Sequence, residues 1–256
     1  MALNPIAYTE KIISSFLKYQ LTTYPLADPD LHQQMRTLLS LEQTRQSPLL
    51  KGPYISLSRS FRQGMSVQDL IVEGVLHPAM AGLISFPHVY GHQERAIRSI
   101  HAGHPTLVST GTGSGKTECF LYPIVSRCLA LRDEGAEPGI VAILVYPMNA
   151  LAEDQLTRLR DFLAGTGISF GMYVGKTPED TADVIGKRLN TGASREQYRR
   201  ELEKAQQERR GTAVHPSEER CSREEMRHSG GQPRILLTNV KQLELLLTRQ
   251  TDESLF

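Results

Sequence analysis

The chain has 256 residues, 39% of them hydrophobic and 22% charged, as expected of a folded globular protein of one large domain or one domain plus an extension. A net charge of +1, from 29 basic and 28 acidic side chains, does not announce a nucleic-acid partner, although a local basic groove would be enough for one. Three scattered cysteines fit neither a disulfide framework nor a metal-ligand spacing, and no 18-residue apolar run predicts a membrane span. The start, MALNPIAYTEKIISSF, lacks a basic segment followed by an apolar one, so it does not read as a secretory signal, and a cytoplasmic location is expected.

Residues 1–80 read as a helical N-terminal extension. Thr9, followed by Ile12, Ile13, Phe16 and Leu17, predicts an amphipathic helix with a Thr cap. Pro25 and Pro29 break it, and Leu31, Met35, Leu38, Leu39 and Leu41 resume a helical period. A short helix capped by Ser66 fits Val67 to Val75.

From residue 81 the pattern changes to alternating strands and helices. Thr106–Ser109 reads as a strand, Glu118–Leu131 as a helix, Ile140–Tyr146 as a buried parallel strand, Ala150–Leu163 as a helix and Ile168–Val174 as a strand. That order predicts an α/β fold with a parallel sheet flanked by helices. Residues 178–232 are dense in charge but balanced, 11 Lys and Arg against 11 Asp and Glu, as in a solvated surface insertion. Within them Ser194–Arg210 predicts an exposed helix, with Glu196 and Arg200 spaced to pair across one turn. Arg234–Asn239 returns to strand and Lys241–Leu247 to helix.

The segment that carries chemistry is Thr110-Gly111-Thr112-Gly113-Ser114-Gly115-Lys116-Thr117, set between an expected strand and a helix. Glycines let backbone amides turn inward without a Cβ clash, which makes a nest of donors at a helix N-terminus. Lys116 adds a charge for the outer phosphates, and the Thr117 hydroxyl is a magnesium ligand of the right type. The strict G-x-x-x-x-G-K-[ST] pattern fails by one residue, because Thr110 stands where it has glycine.

On this loop and three further stretches the chain resembles the first motor domain of superfamily 2 DEAD/DEAH-box helicases. Tyr90-Gly91-His92-Gln93, with Gln93 23 residues before Lys116, is similar to the Q-motif, whose glutamine reads adenine through its amide. The run Tyr146–Gln155 resembles motif Ia, and Thr238-Asn239 resembles motif Ib or its neighbour. Val174–Thr177 sits where relatives carry a Gly-Thr contact to the strand. The combination is most similar to large bacterial DExH helicases of the Lhr and MrfA kind, over about residues 86–256.

The resemblance implies a RecA-like P-loop domain over residues 81–256, with ATP and Mg2+ as cofactors. It implies nucleotide contacts from Gln93 and residues 110–117, with Thr117 on the metal. It further implies nucleic-acid contacts, to DNA, from Pro147, Asn149, Gly175, Thr177, Thr238 and Asn239. Such a motor needs an apolar strand ending in Asp-Glu to hold magnesium and orient water. Asp133-Glu134, Glu153-Asp154 and Asp252-Glu253 do not read as strand ends. The expectation is therefore a motor truncated before its DExH motif, not self-sufficient for hydrolysis, and completed by a second motor domain or a partner subunit in trans. The alternative is a catalytically inactive nucleotide-binding module that acts on a partner.

Overall fold

The computed structural model describes residues 4–39, 60–207 and 213–256, and divides the chain into compact units at residues 1–60 and 61–256. In the first unit α1 spans Pro5–Thr23 and α2 spans Pro29–Leu39. The start of α1 differs from the expected Thr9 cap. Asn4 Oδ1 accepts from Ala7 N, and Pro5 takes the first helical position, where its missing N–H costs nothing. Pro29 likewise starts a helix: Asp28 Oδ1 accepts from Asp30 N at 2.8 Å and Leu31 N at 3.2 Å. Leu41, the last member of the expected apolar period, lies outside the described residues.

The second unit opens with β1 (Gln63–Ser66), α3 (Val67–Val72), α4 (Met80–Leu83), β2 (His88–Tyr90) and α5 (Gly91–His101). Strands β1 and β2 pair antiparallel, and Ser66 caps α3 by accepting from Asp69 N. Val67, Leu70, Leu76 and Met80 are buried in one core with Ile97, Leu121 and Val125. Residues 61–80 therefore belong to the α/β unit, and the division falls at residue 60, earlier than the expected 80. Apolar side chains at helical spacing in 67–80 need a partner face, and that face lies on α5 and the helix after it.

There follow α6 (Lys116–Asp133), β3 (Ala142–Tyr146), α7 (Asn149–Leu163), β4 (Phe170–Met172), β5 (Lys187–Arg188), α8 (Arg195–Gln207), β6 (Val214–His215), β7 (Glu219–Arg220), α9 (Arg223–Arg227), β8 (Ile235–Asn239) and α10 (Val240–Thr248). The main sheet runs β3-β8-β4-β7, every pair parallel, with Leu144 opposite Leu237 and Phe170 between Ile235 and Glu219. Central strand β8 alternates faces as the pleat requires. Ile235 and Leu237 enter the core with Leu156, Leu159 and Leu163 of α7, while Leu236 packs with Tyr173, Leu246 and Leu255 on the other side.

Two expected strands change. Thr106–Ser109 takes no ladder partner and is not a strand, and its Leu107 is 94% exposed. A strand is held by its neighbours, and an apolar run without one keeps its backbone in solvent. Strand β3 was expected to be buried on both faces, but it is an edge strand: Leu144 is buried while Ile143 and Val145 are 36% and 42% exposed.

The charged segment is not a loose insertion. It adds β7 to the main sheet, forms the small parallel pair β5-β6, and lays α8 on α7 through buried Tyr198, Val214 and Ala164. Several of its charges pair with one another or with α7. Arg195 and Arg199 both hold Asp161 of α7, Arg188 holds Glu225, and Lys187 holds Glu201. On α8 the ion pairs among the described residues run from Arg195 and Arg199 to Asp161 and from Glu201 to Lys187 and Lys204, and not between Glu196 and Arg200 as expected; residues 208–210 of the expected helix lie outside the described residues. Among the described residues no helix is long and apolar enough to cross a membrane.

Candidate nucleotide and nucleic-acid site

The phosphate loop runs into α6 as its residues require. Gly113 and Gly115 both take φ +73°, a left-handed conformation that strains any L side chain. At Gly115 space also decides, since a Cβ there would lie 2.4 Å from Gln93 Nε2. A Cβ at Gly111 or Gly113 would face open space. Lys116 and Thr117 form the first turn of α6, with Gly115 as its cap. Lys116 Nζ folds back onto the loop, donating to Thr110 O at 2.8 Å and Gly111 O at 3.0 Å. The Thr110 hydroxyl meets the buried Ser114 hydroxyl at 2.7 Å, closing the loop across its base. Thr112 stands at the exposed turn between them.

Gln93 is the third residue of α5 and only 6% exposed. Its Oε1 accepts from Tyr90 N at 2.8 Å and its Nε2 donates to Gly115 O at 3.0 Å. The amide thus joins the Q-motif-like stretch to the phosphate loop, and these two bonds use one of its two N–H groups and one of its oxygen lone pairs. His92, quoted with the motif but given no role by sequence reasoning, also reaches the loop: its Nε2 is 2.8 Å from Ser114 O. Nothing in the pattern beyond adjacency to Gln93 signals this, because the contact depends on how α5 packs on α6.

The strand-end residues gather at the carboxyl edge of the sheet, where open α/β sheets bind ligands. Pro147 is exposed between β3 and α7, and Asn149 opens α7. Asn239 closes β8, caps α10 by accepting from Gln242 N, and donates Nδ2 to Asn149 Oδ1 at 2.7 Å. Gly175 and Lys176 are exposed after β4. Two expected contact residues are turned inward instead. Thr238 is fully buried and its hydroxyl donates to Tyr173 O at 2.7 Å. Thr177 is 9% exposed; its hydroxyl donates to Met172 O at 2.8 Å and accepts from Val174 N at 2.9 Å. The Thr238 hydroxyl ties β8 to the residue after β4 and the Thr177 hydroxyl closes the turn after β4 on itself, which leaves exposed Pro147, Gly175 and Lys176 and half-buried Asn149 and Asn239 nearer the surface.

Beside this edge lies a cavity of about 480 Å³ whose floor is His215, Glu219 and Arg160. His215, Glu219 and Cys221 offer ligand atoms within 4.8 Å of one another, the one such cluster among the described residues. The geometry is that of an ion-pair knot and not of a metal centre. Arg160 grips both oxygens of Glu219 at 2.7 Å, and His215 spends one ring nitrogen on Glu219 and the other on Ile185 O. Burial pushes the Glu219 carboxyl up, but hydrogen bonds from His215 and Arg160 outweigh it and hold the group below its usual range. Burial and the Glu219 charge push the Cys221 thiol up.

Residues 90–194 match the DEAD/DEAH box helicase family model. The chain is 31% identical to the Druantia protein DruE of Escherichia coli (strain UMEA 4076-1) over 194 residues, which is 66% of this chain and 10% of that protein. It is 34% identical to the ATP-dependent helicase Lhr-Core of Methanothermobacter thermautotrophicus over 128 residues, 46% of this chain and 15% of the relative. The solved structure of DUF1998 helicase MrfA bound to DNA superposes with a TM-score of 0.48 at 19% identity, covering 77% of this chain and 21% of that one. The chain thus spans a small part of each relative's length. The matched stretch contains Gln93, the phosphate loop and the turn after β3, and over these residues the chain is similar to DEAD/DEAH box helicases.

Proposed function

We propose that this chain is the nucleotide- and nucleic-acid-binding part of an ATP-dependent helicase or translocase, with ATP·Mg2+ on Thr110–Thr117 and a DNA strand along the carboxyl edge of the sheet. The observation that carries the reading is the loop itself: left-handed Gly113 and Gly115 lead into α6, and Lys116 is held only by two carbonyls it can exchange for phosphate oxygens. The residues fit the group, because the space beside Gly111 and Gly113 is open and the loop leads straight into the N-terminus of α6. Lys116 would hold the outer phosphates, Thr117 the metal, and Gln93 the base with its remaining N–H and lone pair. Bound magnesium neutralises charge on the phosphates.

On the strand side, Asn149, Asn239 and the backbone amide of Gly175 would offer hydrogen bonds that carry no sequence preference, as a motor's grip requires, with exposed Pro147 beside them; the Thr177 amide and hydroxyl are spent within their own turn. The role is binding. Asp133-Glu134 closes α6, Glu153-Asp154 lies within α7 and Asp252-Glu253 within a final 3-10 turn, so none of these carboxylate pairs stands at the end of a sheet strand.

The test is ATP binding by wild type and Lys116→Ala, each with and without single-stranded DNA or RNA of equal length. Lys116→Ala should weaken ATP by at least about tenfold. DNA and ATP should each raise the other's affinity by the same factor, as linkage demands. Unchanged ATP affinity in Lys116→Ala would end the reading, and tighter coupling to RNA would reassign the strand.

A further inference from the structure

The first turn of α5 holds two consecutive carbonyls of the phosphate loop. His92 Nε2 lies 2.8 Å from Ser114 O, and Gln93 Nε2 donates to Gly115 O at 3.0 Å. A carbonyl can only accept, so the His92 nitrogen that faces Ser114 carries the proton. The imidazole is itself fixed on its flanks. It stacks on Tyr90 with centroids 5.8 Å apart and planes at 16°, and meets Phe61 edge-on at 5.4 Å.

Peptide planarity turns these contacts into an aiming device. In a trans peptide the C=O and the following N–H point to opposite sides. Drawing Ser114 O toward α5 therefore turns the Gly115 N–H away from α5, and drawing Gly115 O does the same for the Lys116 N–H. These are the amides at the cap and first position of α6, the ones that face an anion at a helix N-terminus. The other rim of the loop is held differently. There Thr110 O and Gly111 O are bound by Lys116 Nζ, an exposed flexible group that can leave for phosphate. One rim is thus anchored by a half-buried, stacked ring and the other by a detachable lysine.

We propose that His92 is a positioning residue for phosphate binding: its Nε2–H pins the Ser114–Gly115 peptide so that the Gly115 amide faces the phosphates. The proposal rests on the phosphate-loop reading above and is independent of how the base is recognised.

The test uses the full chain in three variants. His92→Phe keeps a ring for Tyr90 and Phe61 and removes the donor, His92→Gln keeps a donor and removes the ring, and Lys116→Ala reports the phosphate site. Binding of ATP and of inorganic tripolyphosphate is measured by calorimetry, alongside the unfolding temperature. His92→Phe should weaken both probes by about tenfold, the effect of one misdirected amide on a charged ligand, with an unfolding temperature within about 2 °C of wild type. His92→Gln should recover most of the affinity. If His92→Phe instead lowers the unfolding temperature markedly, recovery of affinity in His92→Gln still supports the proposal and its absence overturns it. A His92→Phe chain that binds tripolyphosphate like wild type while Lys116→Ala does not overturns the proposal alone, as does a loss confined to ATP, which would mark His92 as a contact to the base. A Lys116→Ala chain that binds like wild type overturns the phosphate-loop reading and the proposal with it.

Discussion

Asn239 donates its side-chain amide to Asn149 Oδ1 at 2.7 Å, joining the end of β8 to the first residue of α7 across the edge where a strand would lie. The same Asn239 caps α10 through Oδ1 and Gln242 N at 2.8 Å. The two asparagines should therefore act as one unit. Asn239→Ala should cost about 1 kcal/mol of stability through the lost cap, and Asn149→Ala less. In a double-mutant cycle on single-stranded DNA affinity, read by fluorescence anisotropy, the pair should couple by about 0.5–1 kcal/mol. Additive losses would mean that each contacts the strand on its own.

Gly115 joins two constraints, φ +73° and a Cβ position 2.4 Å from Gln93 Nε2. Gly115→Ala should cost about 1–2 kcal/mol in urea unfolding from the left-handed backbone alone and should also displace Gln93. Nucleotide binding should fall with it. Gly111→Ala, at a position with no positive φ and nothing near its Cβ, should leave stability within about 0.5 kcal/mol. Equal losses at both glycines would refute this ranking.

Much of this was legible in the sequence, for reasons that differ by residue. The loop from Thr110 to Thr117 declares itself because glycine spacing and a following lysine are local demands of the backbone. The Ser66 cap and strand β8 were readable too, since caps and apolar runs are also local. What escaped reading depends on distant partners. Thr238 looks like an exposed strand-end hydroxyl, and only the approach of β4 to β8 shows that it is taken up inside, whereas the Thr177 hydroxyl is spent locally on the turn it closes. The charged run looked solvated because pairing with Asp161 and Glu225 lies 34 and 37 residues away, beyond any periodicity. Leu107 reads as a strand residue by composition and lies exposed for want of a neighbour. His92 gains its role only from the packing of α5 on α6.

The open side of β3 makes a prediction about self-association. Ile143 and Val145 share one face of an edge strand, 36% and 42% exposed, beside unpaired backbone groups. Edge strands with apolar faces recruit further strands. Val145→Lys should reduce concentration-dependent association of the 256-residue chain in analytical ultracentrifugation, with stability changed by less than about 0.5 kcal/mol. The same substitution at buried Leu144 should unfold the domain. Association that persists in Val145→Lys would place the contact elsewhere.

The knot under the cavity should make the fold sensitive to acid. Glu219 is 3% exposed and its carboxyl is held below the usual carboxylate range against the upward push of burial, because His215 and both arms of Arg160 favour its charged form. A carboxylate with a depressed folded value contributes stability that is fully present above about pH 4.5 and is lost as pH falls through the folded value. Removing Arg160 leaves a buried carboxylate with one partner fewer, so Arg160→Met should cost about 3–5 kcal/mol at pH 7. Protonation relieves that cost, since a neutral carboxyl needs no cation, and the gap between wild type and Arg160→Met should narrow as pH drops from 7 toward 4. Urea midpoints at the two pH values measure it directly. A gap that stays constant would mean that Arg160 stabilises through its packing against α8 and not through Glu219.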